Sequence, residues 1–159
     1  MNYDKEMKMD KVEFGDMPPQ AFLLGLLSAF DNRFQAAADA FFKEITWKQF
    51  FAIICINLCK EAPTINELSD VMGSSHQNVK QILLKLEKKG FVTTVADEKD
   101  KRKQRIIVTD EARRFLEEND NNGQQSQYII GQIFNGISDK NLQTTIQTIM
   151  KMERNLSEI

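Results

Sequence analysis

The chain has 159 residues, 42% hydrophobic, 28% charged and 9% aromatic, with a formal net charge of −2. That is the composition of one ordinary globular domain, and it excludes a disordered, fibrous or membrane protein. Two cysteines, Cys55 and Cys59, and one histidine, His76, are too few for a zinc site with four Cys or His ligands, and they leave a histidine-based triad a single candidate base.

The longest nearly apolar stretch, Ala21 to Phe30, falls far short of the roughly 20 residues a membrane helix needs. Asp4 and Glu6 stand where a signal peptide carries basic residues, so the expectation is a cytoplasmic protein with no membrane contact. Residues 1–17 are polar with scattered Met and read as a flexible N-terminal arm. Pro18 and Pro19 stop any earlier helix and suit the start of the next one.

From Gln20 to about Glu44, Phe22, Leu23, Leu26, Leu27, Phe30, Phe34, Phe41 and Phe42 recur at helical spacing, which predicts a first long helix within residues 18–45. Thr46-Trp47-Lys48-Gln49 is a capping box, with a hydroxyl for the N3 amide and a glutamine that reaches back. It opens a second helix to about Lys60, with Trp47, Phe50, Phe51, Ile54 and Leu58 on one face. Pro63 interrupts the chain, and Thr64-Ile65-Asn66-Glu67 is another capping box before a short helix that ends at Gly73.

Ser74-Ser75-His76-Gln77 offers a third box, or a cap at Ser75, ahead of Val79, Ile82, Leu83 and Leu86 at i, i+3, i+4 and i+7. Gly90 closes this helix, and Lys88 and Lys89 lie in its last turn, where the dipole favours cations. Two short helices joined by a tight turn make a helix-turn-helix candidate. The β-branched runs Phe91–Val95 and Ile106–Thr109 flank a charged stretch from Asp97 to Arg105 and read as an antiparallel hairpin with a long basic tip.

Thr109 suits the cap of a following helix, with Asp110 and Glu111 in its first turn. Asn119 to Gly123 is either a turn or a weak stretch inside one long helix. Ser138-Asp139 starts the last helix, whose stripe is Leu142, Ile146, Ile149, Met150 and Leu156. The expected class is mainly α with a small β-hairpin, a winged helix-turn-helix over residues 46–109 with helical segments at 18–45 and 110–159.

Charge is unevenly distributed. Ser74 to Arg105 carries nine basic and four acidic residues, whereas the rest of the chain carries 12 basic and 19 acidic. A positive segment on an acidic body is the footprint of a protein that turns one face to phosphates, although charge alone does not separate it from a solvated hairpin. With the apolar positions of the second short helix turned inward, Ser75, His76, Gln77, Asn78, Lys80 and Gln81 face outward. Gln and Asn pair bidentately with adenine, Ser serves several base edges, and Lys80 reaches phosphate or guanine. Lys99, Lys101, Arg102, Lys103 and Arg105 suit phosphates or a narrow minor groove.

Asp100-Lys101-Arg102, followed by Ile106, Val108-Thr109 and Asp110-Glu111-Ala112, resembles the wing signature of the MarR family of bacterial transcriptional regulators. Thr64-Ile65-Asn66-Glu67-Leu68-Ser69 and Leu86-Glu87-Lys88-Lys89-Gly90-Phe91-Val92 are similar to that family's approach to its helix-turn-helix and its passage into the wing. The match is close over about residues 46 to 115 and rests on length and order outside them. The resemblance implies a homodimer held by its first and last helices. It also implies a double-stranded, pseudo-palindromic DNA operator, and repression relieved by a small ligand or by oxidation. By the same carry-over Arg102 is the wing arginine at the DNA and Asp100 the residue that orients the wing. His76 departs from the family's more usual residues.

The aromatic run around Phe30, Phe34, Trp47 and Phe51 suits a pocket for a small aromatic or phenolic effector, although aromatics at helical spacing more often form an ordinary core. Cys55 and Cys59 lie one turn apart in an apolar run, badly oriented for a disulfide, and read as structural thiols. No nucleophile, base and orienting group stand close in sequence, and no Gly-rich phosphate loop or metal-ligand spacing is present, so neither catalysis nor a cofactor is expected. The competing reading is a winged-helix module that binds protein and never touches DNA.

Overall fold

The computed structural model describes residues 16–40, 44–120, 127 and 130–159. The chain divides into two compact units, Met1–Thr109 and Asp110–Ile159. The first contains helices α1 (Pro19–Asp39), α2 (Trp47–Leu58), α3 (Ile65–Met72) and α4 (His76–Lys88) and strands β1 (Val92–Ala96) and β2 (Gln104–Val108). The second contains α5 (Asp110–Asp120), a helical stretch over 130–133, and α6 (Asp139–Leu156).

Helix α1 begins with proline in its first turn, where the missing amide hydrogen costs nothing. It stops at Asp39, earlier than the apolar spacing predicts. The chain must leave the helix before Ile45, which is almost fully buried, and before Thr46, which takes the extended conformation of an N-cap. The Asp39 carboxylate accepts the Trp47 amide and so links the two helices. Phe41 and Phe42, expected at the end of α1, lie outside the described residues.

Both capping boxes form. Gln49 N–H donates to Thr46 Oγ1 at 3.3 Å while Thr46 N–H donates to Gln49 Oε1 at 3.1 Å. Glu67 N–H and Thr64 Oγ1, with Thr64 N–H and Glu67 Oε2, repeat the pattern at α3. Helix α2 ends at Leu58, two residues before the predicted limit, because Cys59 is already extended as the chain turns toward Pro63.

Helices α2, α3 and α4 pack on one another, and the hairpin closes them from the side of β2. Ala52, Ile53, Leu68, Val79, Leu86 and Ile106 form a core with essentially no exposure. The strands pair antiparallel in the register Val92↔Val108 and Thr94↔Ile106. Val92, Ile106 and Val108 face the core, whereas β1 beyond Val92 is exposed, so the hairpin tip projects from the body. Gly90, at φ +73°, adopts the left-handed conformation that ends α4, and Phe91 N–H reaches back to the Leu86 carbonyl at 2.9 Å. Thr109 Oγ1 donates to the Gly90 carbonyl, pinning the end of β2 beside the end of α4.

In the second unit, α5 opens with Asp110 and Glu111 as the dipole favours. It includes Asn119 and Asp120, while the rest of the weak stretch, 121–123, is outside the described residues. Ser138 caps α6 by accepting the Asn141 amide at 3.3 Å. No residue of α6 is buried. No described helix is long and apolar enough to cross a membrane.

Candidate nucleic-acid interface

The turn between α3 and α4 sets where α4 begins. Gly73, at φ +57°, takes the left-handed conformation that glycine adopts without strain, and Ser74 N–H bonds to the Ser69 carbonyl at 3.0 Å. Ser75 then caps α4, its hydroxyl accepting the Asn78 amide at 3.3 Å. Val79, Ile82 and Leu86 are buried, and Leu83 is half-buried. Ser75, His76, Gln77, Asn78, Lys80 and Gln81 are all exposed, as the helical spacing requires. Asn78 is already engaged, since its side-chain amide donates to Ser74 Oγ at 2.8 Å.

The wing tip is a built turn. Asp97 Oδ1 accepts the amides of Lys99 and Asp100, each at 2.8 Å. Asp97 N–H donates to the Lys103 carbonyl at 2.9 Å, and Lys103 N–H to the Asp100 carbonyl at 2.8 Å. Asp100 Oδ1 accepts both the Arg102 amide at 3.2 Å and Arg102 Nε at 3.1 Å, which aims a guanidinium that is 92% exposed. These bonds, with the Arg102 side chain first, hold the Asp100 carboxyl below its ordinary value. Lys99, Lys101 and Lys103 are exposed around it.

Arg105, expected among the outward cations, is placed differently. Its guanidinium turns back into the body: Nε donates to Asp97 Oδ2 at 2.6 Å, and Nη1 to Glu67 Oε2 at 2.9 Å and to the Ala62 carbonyl at 3.0 Å. Sequence reasoning reads Glu67 only as part of a capping box and Asp97 only as the start of the charged stretch. Asp97 meets Arg105 across the hairpin, 8 positions away, whereas Glu67 is 38 positions away, a pairing that local spacing does not signal.

Arg102 and Gln104 of the wing meet Leu83 of α4 and Thr64 and Ile65 at the start of α3 around a groove of about 580 Å³. Of α4 only Leu83 lines this groove; Gln77, Lys80 and Gln81 do not. A second depression, about 380 Å³, lies among α1, α2 and the α3–α4 turn, with Phe34, Trp47 and Phe51 on one side and Gly73, Ser74 and Asn78 on the other. Phe34 meets Trp47 edge-on at 4.7 Å between ring centroids, and Trp47 stacks on Phe51 at 6.1 Å. Phe30 stacks on Phe34 at 6.0 Å but is not part of the lining.

Cys55 is buried, and that burial, with the neighbouring Cys59, raises its thiol pKa above the ordinary value. Cys59 Sγ donates to the Cys55 carbonyl at 3.2 Å. Among the described residues no three His, Cys, Asp or Glu side chains are grouped to hold a metal ion.

Residues 45–103 match the MarR family model. Solved structures share the fold. A MarR protein from Peptoclostridium difficile superposes with a TM-score of 0.76 at 20% identity, over 93% of this chain and 95% of its own. The Staphylococcus aureus MepR–DNA complex gives 0.69 at 16% identity, over 82% of this chain and 94% of that one. CouR from Rhodococcus jostii bound to p-coumaroyl-CoA gives 0.67 at 20%, over 80% and 88%. The chain thus has the winged helix-turn-helix fold of these structures, and residues 45–103 carry the similarity to the MarR family model.

Proposed function

We propose that this protein is a sequence-specific DNA-binding transcriptional regulator, a repressor that binds a pseudo-palindromic operator as a homodimer and leaves it when a small aromatic effector binds. The observation that carries this reading is the presence of two exposed polar surfaces on one compact unit. These are an α4 face that exposes Gln77, Lys80 and Gln81, and a wing tip whose Arg102 is held outward by Asp100. The helix reads base edges in the major groove, and the wing cations fix register on the backbone. Each surface is aligned before DNA arrives, so little conformational freedom is lost on docking.

Dimerisation rests on α6, whose apolar stripe includes Ile146 at 42% and Leu156 at 65% exposure in the single chain, a pattern that asks for cover. The MepR structure is a complex with DNA and the CouR structure holds an aromatic coenzyme A thioester, which supports both halves of the proposal by likeness. The depression lined by Phe34, Trp47 and Phe51 is the proposed effector site. Its opposite wall contains Ser74 and Asn78, so an occupant touches the first turn of the reading helix directly. In the dimer, a shift of that turn changes the separation of the two winged domains until both no longer dock together.

Fluorescence anisotropy of the purified protein against DNA flanking its own gene, with a scrambled duplex as control and several salt concentrations, tests the reading. The expected result is tight, salt-steep binding that saturates at one dimer per site and prefers the native sequence. No binding to any tested DNA, even at low salt, overturns it in favour of a protein-interaction module.

A further inference from the structure

Arg105 occupies the base of the wing, opposite Val95 in the strand register, and its side chain is only 21% exposed. One guanidinium joins three segments. Asp97 belongs to the wing, Ala62 to the connection between α2 and α3, and Glu67 to the first turn of α3. The Asp97 carboxylate, 12% exposed, uses its other oxygen on the amides of Lys99 and Asp100, and Asp100 in turn holds Arg102. Glu67 Oε2, which receives Arg105, is the same oxygen that closes the α3 capping box on Thr64 N–H at 2.7 Å. Beside this cluster, Ile106 N–H donates to the Pro63 carbonyl at 2.8 Å, so β2 is attached to the α2–α3 connection by its backbone as well.

A continuous path of hydrogen bonds therefore runs from the start of α3 to the exposed guanidinium at the wing tip. We propose that Arg105 is a positioning residue that fixes the wing relative to the helix-turn-helix and acts on DNA only through Asp97, Asp100 and Arg102. A planar guanidinium suits this role, because it directs several donors at fixed angles to separate acceptors, which a lysine ammonium on a flexible stem does not reproduce. The role rests on the DNA-binding reading above, and it separates two arginines three positions apart: Arg102 touches the DNA and Arg105 aims it.

The test compares Arg102→Ala, Arg105→Ala and Arg105→Lys in the full chain with two readouts. Operator affinity is measured against salt concentration, and amide hydrogen exchange is followed in the DNA-free protein. Arg102→Ala is expected to flatten the plot of log affinity against log salt by about 0.9 for each phosphate it no longer neutralises. Arg105→Ala is expected to displace that plot to weaker binding with its slope unchanged, since no phosphate partner is removed. It should also speed exchange at Lys99, Asp100 and Lys103 while α4 keeps its protection, which distinguishes a loosened wing from a destabilised domain. Arg105→Lys should recover only part of the lost affinity.

A reduced salt slope in Arg105→Ala makes Arg105 a phosphate ligand and overturns the proposal. So does wild-type affinity with wild-type wing exchange, full recovery by lysine, or loss of protection throughout the unit. If the wild-type protein binds no DNA, the regulator reading fails. The exchange readout still decides whether Arg105 orders the wing.

Discussion

The two units of this chain answer their sequence patterns in opposite ways. In the first, apolar positions at helical and strand spacing are consumed: Ile53, Leu68, Val79, Leu86 and Ile106 are almost wholly shielded from solvent. In the second, α6 has an equally regular stripe, yet none of its residues is buried. The same periodicity thus produces a finished core in one place and an uncovered face in the other. What differs is the number of elements that converge. Three short helices and a hairpin pack together around the core that holds Leu86, whereas Ile146 and Leu156 in the second unit stay exposed. A stripe that a monomer leaves uncovered is the surface on which the proposed dimer depends.

Substitutions on the two sides should part company accordingly. The largest expected effect on folding is Leu86→Ala, which opens a cavity in a closed core and should cost about 2 to 5 kcal/mol of unfolding free energy. Trp47, the chain's single tryptophan, is packed between Phe34 and Phe51 and reports this transition by fluorescence in denaturant. Ile146→Glu should instead convert dimer to monomer in sedimentation equilibrium while hydrogen exchange in α2, α3 and α4 keeps its wild-type pattern. A dimer that survives this change removes the α6 stripe from the interface. Within the finished unit, Gln77→Ala alters neither core nor stripe. It should weaken binding to the preferred operator by about 1 to 3 kcal/mol and leave binding to unrelated duplexes nearly unchanged.

Local chemistry made much of the first unit readable. The two threonine capping boxes, the glycine stops at Gly73 and Gly90, and the β-branched runs around a charged tip each depend on residues within a few positions of one another. The structure keeps all of them, with boundaries shifted where a tertiary demand intervened, as when the burial of Ile45 ends α1 at Asp39. The outward face of α4 followed from the same periodicity. Arg105 did not. A charge count treats it like Lys101 or Lys103, and only the fold brings Glu67, 38 positions away in sequence, within 2.9 Å of its guanidinium. The aromatic depression was half legible, since Phe34, Trp47 and Phe51 stand on predicted faces. Its far wall is the turn at Gly73 and Ser74, set by the packing of α3 and α4 against α2.

The smallest expected effect concerns pH and sharpens the contrast between the closed base of the wing and its open tip. Asp97 is held down to about 2 from an ordinary 3.8, first by the Arg105 side chain and then by the amides of Asp100 and Lys99. A carboxyl whose pKa is lowered by folding contributes stability that is complete above its unfolded value and is lost as pH falls through the folded one. The wing base should therefore stay locked across the range from about pH 5 to 8, and any change in operator binding there must arise elsewhere. Loosening is expected only in acid, below the ordinary value of 3.8 and toward 2. Carbon-13 NMR of the side-chain carboxyls checks this directly: Asp97 should titrate near 2 in the wild type and return toward 3.8 in Arg105→Ala. Asp97→Asn should abolish that titration and carry the loosened wing to neutral pH, because the amide keeps an acceptor for the tip but loses the charge that holds Arg105. An Asp97 that titrates at its ordinary value in the wild type would mean that the wing base is no more closed than the tip it supports.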